Sequence, residues 1–291
     1  MTTVPQPPDV VDAHTHIFPP EVGLKREQFV QRDAWFAALY SSPTARIATA
    51  EDLIASMDRS GVATSVVLAF GWRDAGLGSL HNAYLIDAAR RYPGRLVPFA
   101  HVGPDADDPD LADFAGIGEW MPEGQGFTLD EHSRLVGQLR AARERNLPVL
   151  SHVSEPVGHD YPGKSRVAPE QFWRLARAFP DNRFIAAHWG GGLLFYELMP
   201  EVRQDLRNVW YDTAAGRLLY VPAIYAAAGQ ILGPHKVLWG SDFPLVPQQR
   251  DIRTVRRAGH NEQALRLMLG GNCRSLLAAP PPYSYFTSDT P

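Results

Sequence analysis

The sequence predicts an α/β protein built as a (β/α)8 barrel. Eight short apolar runs, several of them rich in Val, Ile and Phe, alternate with patterns typical of helices. The runs show little polar alternation, as expected of parallel strands that are buried on both faces. The alternative is an open doubly wound sheet, but no Gly-x-Gly-x-x-Gly fingerprint follows the first run, which weakens the dinucleotide-binding version of that fold.

The predicted strands are spaced along almost the whole chain. Each run is short enough to favour a strand over a helix. Their carboxyl ends are expected to meet on one face of the barrel. The runs cover residues 10–14, 63–70, 96–101, 114–119, 148–152, 184–188, 209–212 and 237–241.

Capping and stop signals predict helices between these runs. Residues 129–145 begin with a capping box formed by Thr128 and Glu131. Residues 51–59 end shortly before Gly61, which is a typical helix stop. The other predicted helices cover residues 81–91, 169–179, 218–232 and 262–269.

The whole chain, residues 1–291, is predicted to form one domain, since barrels often use this length for a single domain. Residues 17–50 form a long insertion after the first strand and contain several aromatic residues. Two interpretations stay open: the insertion shapes the active face, or it is a separate packing element. The tail, residues 280–291, is rich in Pro, Ser and Thr and is predicted to be loosely ordered.

Composition excludes several classes of function. The chain has 28 Lys and Arg against 32 Asp and Glu, a formal net charge of −4. This mild acidity gives no electrostatic basis for binding nucleic acid or an anionic membrane. The single cysteine, Cys273, excludes an internal disulfide framework and fits a reducing compartment. No signal peptide or membrane-spanning run is predicted, so we expect a cytoplasmic protein.

Polar side chains recur where the predicted strands end. His14 and His16 point to the same side of a strand, so both imidazoles can face one metal ion. The carboxyl ends of barrel strands meet at the face that carries the chemistry. The other side chains at such positions are Glu119, His152, His188 and Asp242. A mixed set of histidines and carboxylates suits Zn²⁺, Mn²⁺ or Fe²⁺.

Three motifs carry a resemblance to a known family. They are Asp-Ala-His-Thr-His at 12–16, Ala-His-Trp-Gly-Gly-Gly at 187–192 and Trp-Gly-Ser-Asp-Phe-Pro at 239–244. By their order and separation, the chain resembles the metal-dependent amidohydrolase superfamily over almost its whole length. It is most similar to the branch that includes aminocarboxymuconate-semialdehyde decarboxylase. The motifs are specific for fold and metal, and much less specific for the reaction.

The resemblance implies a role for each side chain. His14, His16 and His152 would be metal ligands. Asp242 would ligate the metal and take a proton from its bound water. His188 would bind a second metal or polarise a substrate carbonyl. Glu119 stands where two-metal members often carry a carboxylated lysine, so it could bind or bridge metal.

We expect one divalent ion, zinc first, with manganese or iron as alternatives and a second ion left open. Such an ion lowers the pKa of bound water from about 15.7 to about 7, which makes hydroxide available at neutral pH. Near the ion, Asp242 would act as the general base and His188 would stabilise an oxyanion.

Substrate contacts are predicted in the loops beyond the strand ends. His159, Tyr161 and Lys164 lie in a loop that directly follows the fifth strand. We expect this loop to overhang the metal, while an ordinary surface loop is the alternative.

Three further residues follow other strand ends. Arg217 could bind a substrate carboxylate bidentately, and a surface salt bridge is the alternative. Trp120 and Trp189 could wall a flat substrate, and core packing is the alternative.

The preferred function is hydrolysis of a small ester, lactone or amide by metal-bound hydroxide. The same ligands would serve a nonoxidative decarboxylase of an aromatic or unsaturated carboxylic acid, and Arg217 keeps this alternative open. A barrel that has lost catalysis and acts as a scaffold is the third hypothesis. The expected partner is a small-molecule substrate, and the resemblance adds a homodimer.

Overall fold

Eight strands form the sheet of this protein in a computed structural model that describes residues 10–278. The strands are β1 (Val10–His16), β2 (Val62–Leu68), β3 (Leu96–Ala100), β4 (Gly116–Trp120), β5 (Pro148–Ser151), β6 (Arg183–Ala186), β7 (Val209–Asp212) and β8 (Val237–Leu238). Each strand pairs in parallel with the next one along the chain. The predicted (β/α)8 class is therefore confirmed, while the predicted loose tail at 280–291 lies outside the described residues.

The barrel closes between β1 and the segment 239–243, which follows β8. Ala13 N donates a hydrogen bond to Trp239 O over 2.8 Å, and Asp242 N donates to His14 O over 2.9 Å. An open sheet would leave this edge of β1 unpaired. These backbone bonds therefore exclude the doubly wound alternative.

Several strands end earlier than the sequence predicts, and the early ends of β6 and β8 matter for the site. β6 ends at Ala186 and β8 at Leu238, whereas the predictions run to residues 188 and 241. The backbone of His188 has φ 57° and that of Asp242 has φ 64°. This left-handed conformation cannot continue a strand. Both side chains therefore stand on turns just beyond the strands.

Helices follow the strands around the barrel. They are α1 (Pro20–Leu24), α2 (Arg26–Arg32), α3 (Ala34–Tyr40), α4 (Ala50–Ser60), α5 (Ala75–Arg91), α6 (Pro122–Gln125), α7 (His132–Glu144), α8 (Pro169–Ala178), α9 (Pro200–Asp205), α10 (Gly216–Leu219), α11 (Ala223–Leu232), α12 (Gln248–Arg256), α13 (Glu262–Arg266) and α14 (Asn272–Ala278), with a 3-10 segment at His188–Leu198 and a π-helical turn at Leu267–Gly271. Within residues 10–278, no helix is both long and apolar enough to cross a membrane.

Local signals explain where the helix predictions succeed and fail. The stop at Gly61 is confirmed, with φ 69° at that residue. The predicted helix start at Thr128 is wrong: the bond from Thr128 N to the Glu131 carboxylate forms over 2.6 Å, but it closes a turn that precedes α7. The single helix predicted at 218–232 is two helices, because Pro222 has no N–H and restricts the residue before it.

The insertion at 17–50 contains α1, α2 and α3. Phe36 of α3 stacks on Trp72, with ring centroids 5.0 Å apart, and Phe18 meets Phe36 edge-on at 6.0 Å. All three rings are buried. The insertion is therefore anchored as an aromatic packing element beside the end of β2.

Two buried aspartates tie the closing segment to α12. Asp12 Oδ2 accepts hydrogen bonds from the Ser241 hydroxyl at 2.6 Å and from the Gln248 amide at 2.8 Å. The Trp239 indole N–H donates to Asp251 Oδ2 at 2.7 Å. Burial, helped by the nearby charge of Asp12, raises the pKa of Asp251 to about 7.

The raised pKa of Asp251 predicts a loss of stability on the alkaline side. Its folded-state pKa of about 7 exceeds the ordinary value of 3.8. The stability that protonated Asp251 contributes is therefore fully present below about pH 4 and is lost as the pH rises through about 7. Between pH 5 and 8, we expect Asp251 to remove on the order of 2 kcal/mol of unfolding free energy. Urea denaturation of the wild type and Asp251→Asn should show a flatter pH profile for the variant. Parallel profiles would contradict the prediction.

Candidate metal centre

Two histidines from β1 and the aspartate after β8 face each other at the carboxyl end of the barrel. The Nε2 atoms of His14 and His16 lie 3.1 Å apart. Asp242 Oδ1 lies 3.8 Å from His14 Nε2 and 3.7 Å from His16 Nε2. Nitrogens bound to one tetrahedral zinc ion lie about 3.3 Å apart, so the three groups are close to the spacing of a ligand set.

Glu119 divides its two oxygens between two pairs of histidines. Oε2 lies 3.5 Å from His14 Nε2 and 3.2 Å from His16 Nε2. Oε1 lies 3.0 Å from His152 Nδ1 and 3.5 Å from His188 Nε2. A carboxylate in this position can bind an ion on either side or bridge two ions.

The second pair of histidines is oriented by outer hydrogen bonds. His188 Nε2 and His152 Nδ1 lie 3.2 Å apart. The other ring nitrogen of His188 faces Ala214 O at 3.0 Å, and that of His152 faces Ser154 Oγ at 3.0 Å. Such outer partners fix the ring orientation and leave the inner nitrogen available to a ligand.

Asp212, at the end of β7, was not predicted as a site residue. Its Oδ2 accepts a hydrogen bond from His14 Nδ1 at 2.8 Å, and its Oδ1 accepts from His188 N at 2.9 Å. Asp212 is fully buried. The sequence does carry a signal for it, because Asp212 ends the seventh predicted strand just as the predicted site residues end theirs. Asp212 positions both His14 and the turn of His188.

The buried charges of this site call for a cation. Burial by itself would lower the pKa of His14, but Asp212 and Glu119 raise it well above its ordinary value. Burial would raise the pKa of Glu119, but His14 holds it well below its ordinary value. Burial opposes the charge of His188 too, yet a hydrogen bond to Glu119 raises its pKa to about 9. Buried carboxylates therefore recruit positive charge, which either protonated imidazoles or a divalent ion supplies.

The turn after β6 explains the glycine run. Trp189 and Gly190 follow His188 with φ of 60° and 62°, and Gly191 has φ 58°. A Cβ atom at Gly191 would lie 2.5 Å from Ser154 O. The glycines therefore allow a tight backbone turn directly after His188, because only glycine combines this conformation with such a close approach.

A cavity of about 630 Å³ opens above these donors. Its wall includes Leu39, Tyr40 and Arg46 from the insertion and His159 and Tyr161 from the loop after β5. The insertion therefore also shapes the active face, so both of its interpretations hold. Tyr40 and Arg46 were not predicted as site residues. Tyr40 was visible only as one of several insertion aromatics, and nothing in the sequence marked Arg46.

Both predicted tryptophan walls are wrong. Trp120 is 1% exposed and donates its indole N–H to Gln138 Oε1 at 3.1 Å. Trp189 is fully buried and meets Tyr225 edge-on at 5.3 Å. Neither tryptophan lines the cavity, because both rings belong to the buried apolar core.

Two of the three residues predicted in the loop after β5 lie at the cavity, and their contact with a substrate stays a prediction. His159 and Tyr161 line the cavity, but Lys164 does not. The ammonium of Lys164 instead donates to the carbonyls of residues 157–159 at 3.1 to 3.3 Å, which orders its own loop. Arg217 lines a different cavity and is not brought to the metal donors.

The chain belongs to the amidohydrolase family, whose sequence profile matches residues 11–278. This membership makes the protein an enzyme of the amidohydrolase superfamily. No curated protein sequence matches the chain.

Solved structures with the same fold include several decarboxylases. The 5-carboxyvanillate decarboxylase of Sphingomonas paucimobilis has a TM-score of 0.74 and 16% identity, covering 93% of this chain and 99% of its own. The enzyme of that name from Novosphingobium aromaticivorans, complexed with manganese and a nitrobenzoic acid, has a TM-score of 0.73 and 17% identity, covering 92% and 95%. A dihydroxybenzoic acid decarboxylase from Polaromonas, with manganese and 2-nitroresorcinol, has a TM-score of 0.68 and 14% identity, covering 92% and 96%.

The contacts of Asp212 predict a role in metal affinity. Asp212→Asn should weaken metal binding about 10- to 100-fold, because it removes the carboxylate that orients the His14 ring. Metal affinity measured by competition with a chelator tests this, with circular dichroism as a check on folding. Asp181→Asn, at an exposed position, serves as the matched control. Equal affinities for Asp212→Asn and the control would contradict the role.

Proposed function

We propose that this enzyme decarboxylates a small aromatic carboxylic acid without oxidation, using a divalent metal ion. The observation that carries the proposal is the character of the cavity above the metal donors. Leu39, Met121 and Leu218 supply apolar wall, and Arg46 is the guanidinium among the described lining residues. An apolar slot with a guanidinium in its wall suits a flat ring that bears a carboxylate.

The donor set supports a divalent ion. His14, His16 and Asp242 would hold it, with Glu119 available as a further ligand on the same side. When bound, the ion would act as a Lewis acid on substrate oxygens and lower the pKa of bound water. Manganese is present in related decarboxylases, so we propose manganese ahead of zinc; nitrogen and oxygen donors accept both.

The reaction requires a proton at the ring carbon that carries the carboxylate. His188 lines the cavity, and a hydrogen bond to Glu119 raises the pKa of its imidazole, which favours the protonated form that a proton donor needs. We assign it the delivery of this proton, and Asp242 raises its pKa through its negative charge. After protonation the bond to the carboxylate breaks, its electron pair returns to the ring, and CO2 leaves. No electrons are exchanged with another reactant, and His188 recovers its proton from water.

Tyr40 and Arg46 would orient the acid. Burial and the charges of Asp242 and Glu119 raise the pKa of Tyr40, so its hydroxyl stays protonated near the donors and can donate a hydrogen bond. Among residues 10–278, the hydrogen bond of the Arg46 guanidinium is a long one, to Pro244 O at 3.5 Å, which leaves its other N–H groups to meet a carboxylate.

We expect release of CO2 from one or more hydroxylated benzoic acids by the metal-loaded enzyme. Arg46→Gln should raise KM about tenfold and change kcat little, since the guanidinium binds the carboxylate in substrate and transition state alike. Ultraviolet absorbance and trapped CO2 measure the reaction across a panel of dihydroxybenzoates and carboxyvanillate. Arg166→Gln, whose side chain is 94% exposed, is the control. An absence of CO2 from every acid would contradict the proposal.

Hydrolysis is the second candidate, and the position of Glu119 favours it. A carboxylate shared between two histidine pairs is the arrangement expected of a bridge between two ions, and two-ion sites activate water and stabilise the departing oxygen. The substrates would be small esters, lactones or amides. In this mechanism Asp242 would take the proton of the attacking water.

Metal content separates the two reactions. We expect about one equivalent for the decarboxylase, with Glu119→Gln keeping most of it because the first triad remains. Two equivalents, reduced to one by Glu119→Gln, would instead make Glu119 a bridge and favour hydrolysis. Elemental analysis of the protein purified after manganese or zinc supplementation gives the count. An absence of metal in both preparations would instead support the hypothesis of a non-catalytic scaffold.

The cytoplasmic location, the single domain and the homodimer stay predictions.

A further inference from the structure

A second cavity lies outside the metal centre, between α10 and α12. It has a volume of about 510 Å³ and is lined by Arg217, Arg250, Arg253 and Arg257, with Pro222 and Thr254. We call these four side chains the arginine cluster. None of them lines the cavity above the metal donors.

The sequence of α12 builds the cluster by helical spacing. Gln248, Asp251, Ile252 and Val255 form its buried face. Positions 250, 253, 254 and 257 recur every three or four residues, so they share another face, which lines the cavity. A protein with a net charge of −4 therefore concentrates positive charge on one side of one helix.

The described residues give the cluster no anion in direct contact. Within residues 10–278, none of the four guanidiniums takes part in a salt bridge, and Arg253 hydrogen-bonds only to Gln249 O and Oε1. Arg217 Nε is buried and has no hydrogen-bond partner there. The charge of Arg217 partly opposes the rise in the pKa of the buried Asp251, although the two groups form no salt bridge. Like charges at these helical spacings repel one another, so an anion bound among them would relieve that repulsion.

The helix dipole does not explain the cluster. Cations are favoured at a helix C-terminus, which accounts for Arg256 and Arg257. Arg250 lies in the first turn of α12, where the dipole disfavours a positive charge. Its presence there therefore calls for another source of stabilisation.

We propose that the arginine cluster binds a small multivalent anion of the phosphate type. Guanidinium groups bind phosphate oxygens bidentately, and several of them can surround one anion. The cavity volume falls in the range of small-ligand sites, which favours a compact anion over a flat macromolecular surface. A free phosphorylated molecule and a lipid headgroup share this chemistry, and we commit to the free molecule.

Calorimetric titration with inorganic pyrophosphate tests the site in the full-length, metal-loaded protein. We expect saturable binding at low ionic strength that weakens as salt is added. The double variant Arg250→Gln/Arg257→Gln should weaken binding about tenfold or more. Arg256→Gln, an exposed arginine on the same helix that does not line the cavity, should change it less than about twofold. The same titration on His14→Ala removes any contribution from the metal centre, and binding should persist.

Three results would overturn the proposal. The first is an absence of saturable binding by the wild type. The second is an equal loss in Arg256→Gln and in the double variant, which would mean unspecific attraction to the helix. The third is sedimentation with phosphatidylserine vesicles that requires Arg250 and Arg257 while pyrophosphate does not bind, which would mean a membrane surface. Thermal unfolding checks that the double variant is folded. Pyrophosphate should raise the melting temperature of the wild type and should not raise that of the double variant.

Discussion

Closure of the barrel between β1 and the segment 239–243 is the constraint on which the rest of the structure depends. The bond from Asp242 N to His14 O does two things at once: it seals the sheet and sets a carboxylate beside the first-strand histidines. Asp12 strengthens the same junction between β1 and the segment 239–243 by accepting hydrogen bonds from Ser241 and Gln248. Fold and metal centre are therefore held by one set of bonds. Damage to this junction would disturb both together.

Charge balance governs the chemistry of the site. Glu119 and Asp212 are both buried. Glu119 contacts the rings of His14 and His188, whereas Asp212 contacts the ring of His14 and the backbone N–H of His188. Two carboxylates among four imidazoles can take up protons or a divalent ion, and the two occupants compete for the same nitrogens. Asp212 contacts the Nδ1 side of the His14 ring, so it orients the ring and leaves Nε2 available to a metal ion.

The choice between the two proposed reactions depends on residues away from these donors. Family membership assigns the barrel and its metal-dependent chemistry, but hydrolases and decarboxylases can share such donors. The insertion at 17–50 supplies Leu39, Tyr40 and Arg46 to the cavity, and the loop after β5 supplies His159 and Tyr161. Aromatic packing around Phe36 anchors the insertion beside β2. The same segment thus combines a packing role with a place in the wall of the cavity.

The sequence by itself determined the barrel and the donors, because buried parallel strands have a plain apolar pattern and each donor follows its strand directly. His14, His16, Glu119, His152, His188 and Asp242 do meet at one face. Tertiary structure decided what pattern cannot encode. Trp120 and Trp189 pack into the core, Arg217 joins α12 in another cavity, and Arg46 reaches the metal cavity from a distant segment. Such outcomes depend on how helices and loops pack against one another, which has no period along the chain.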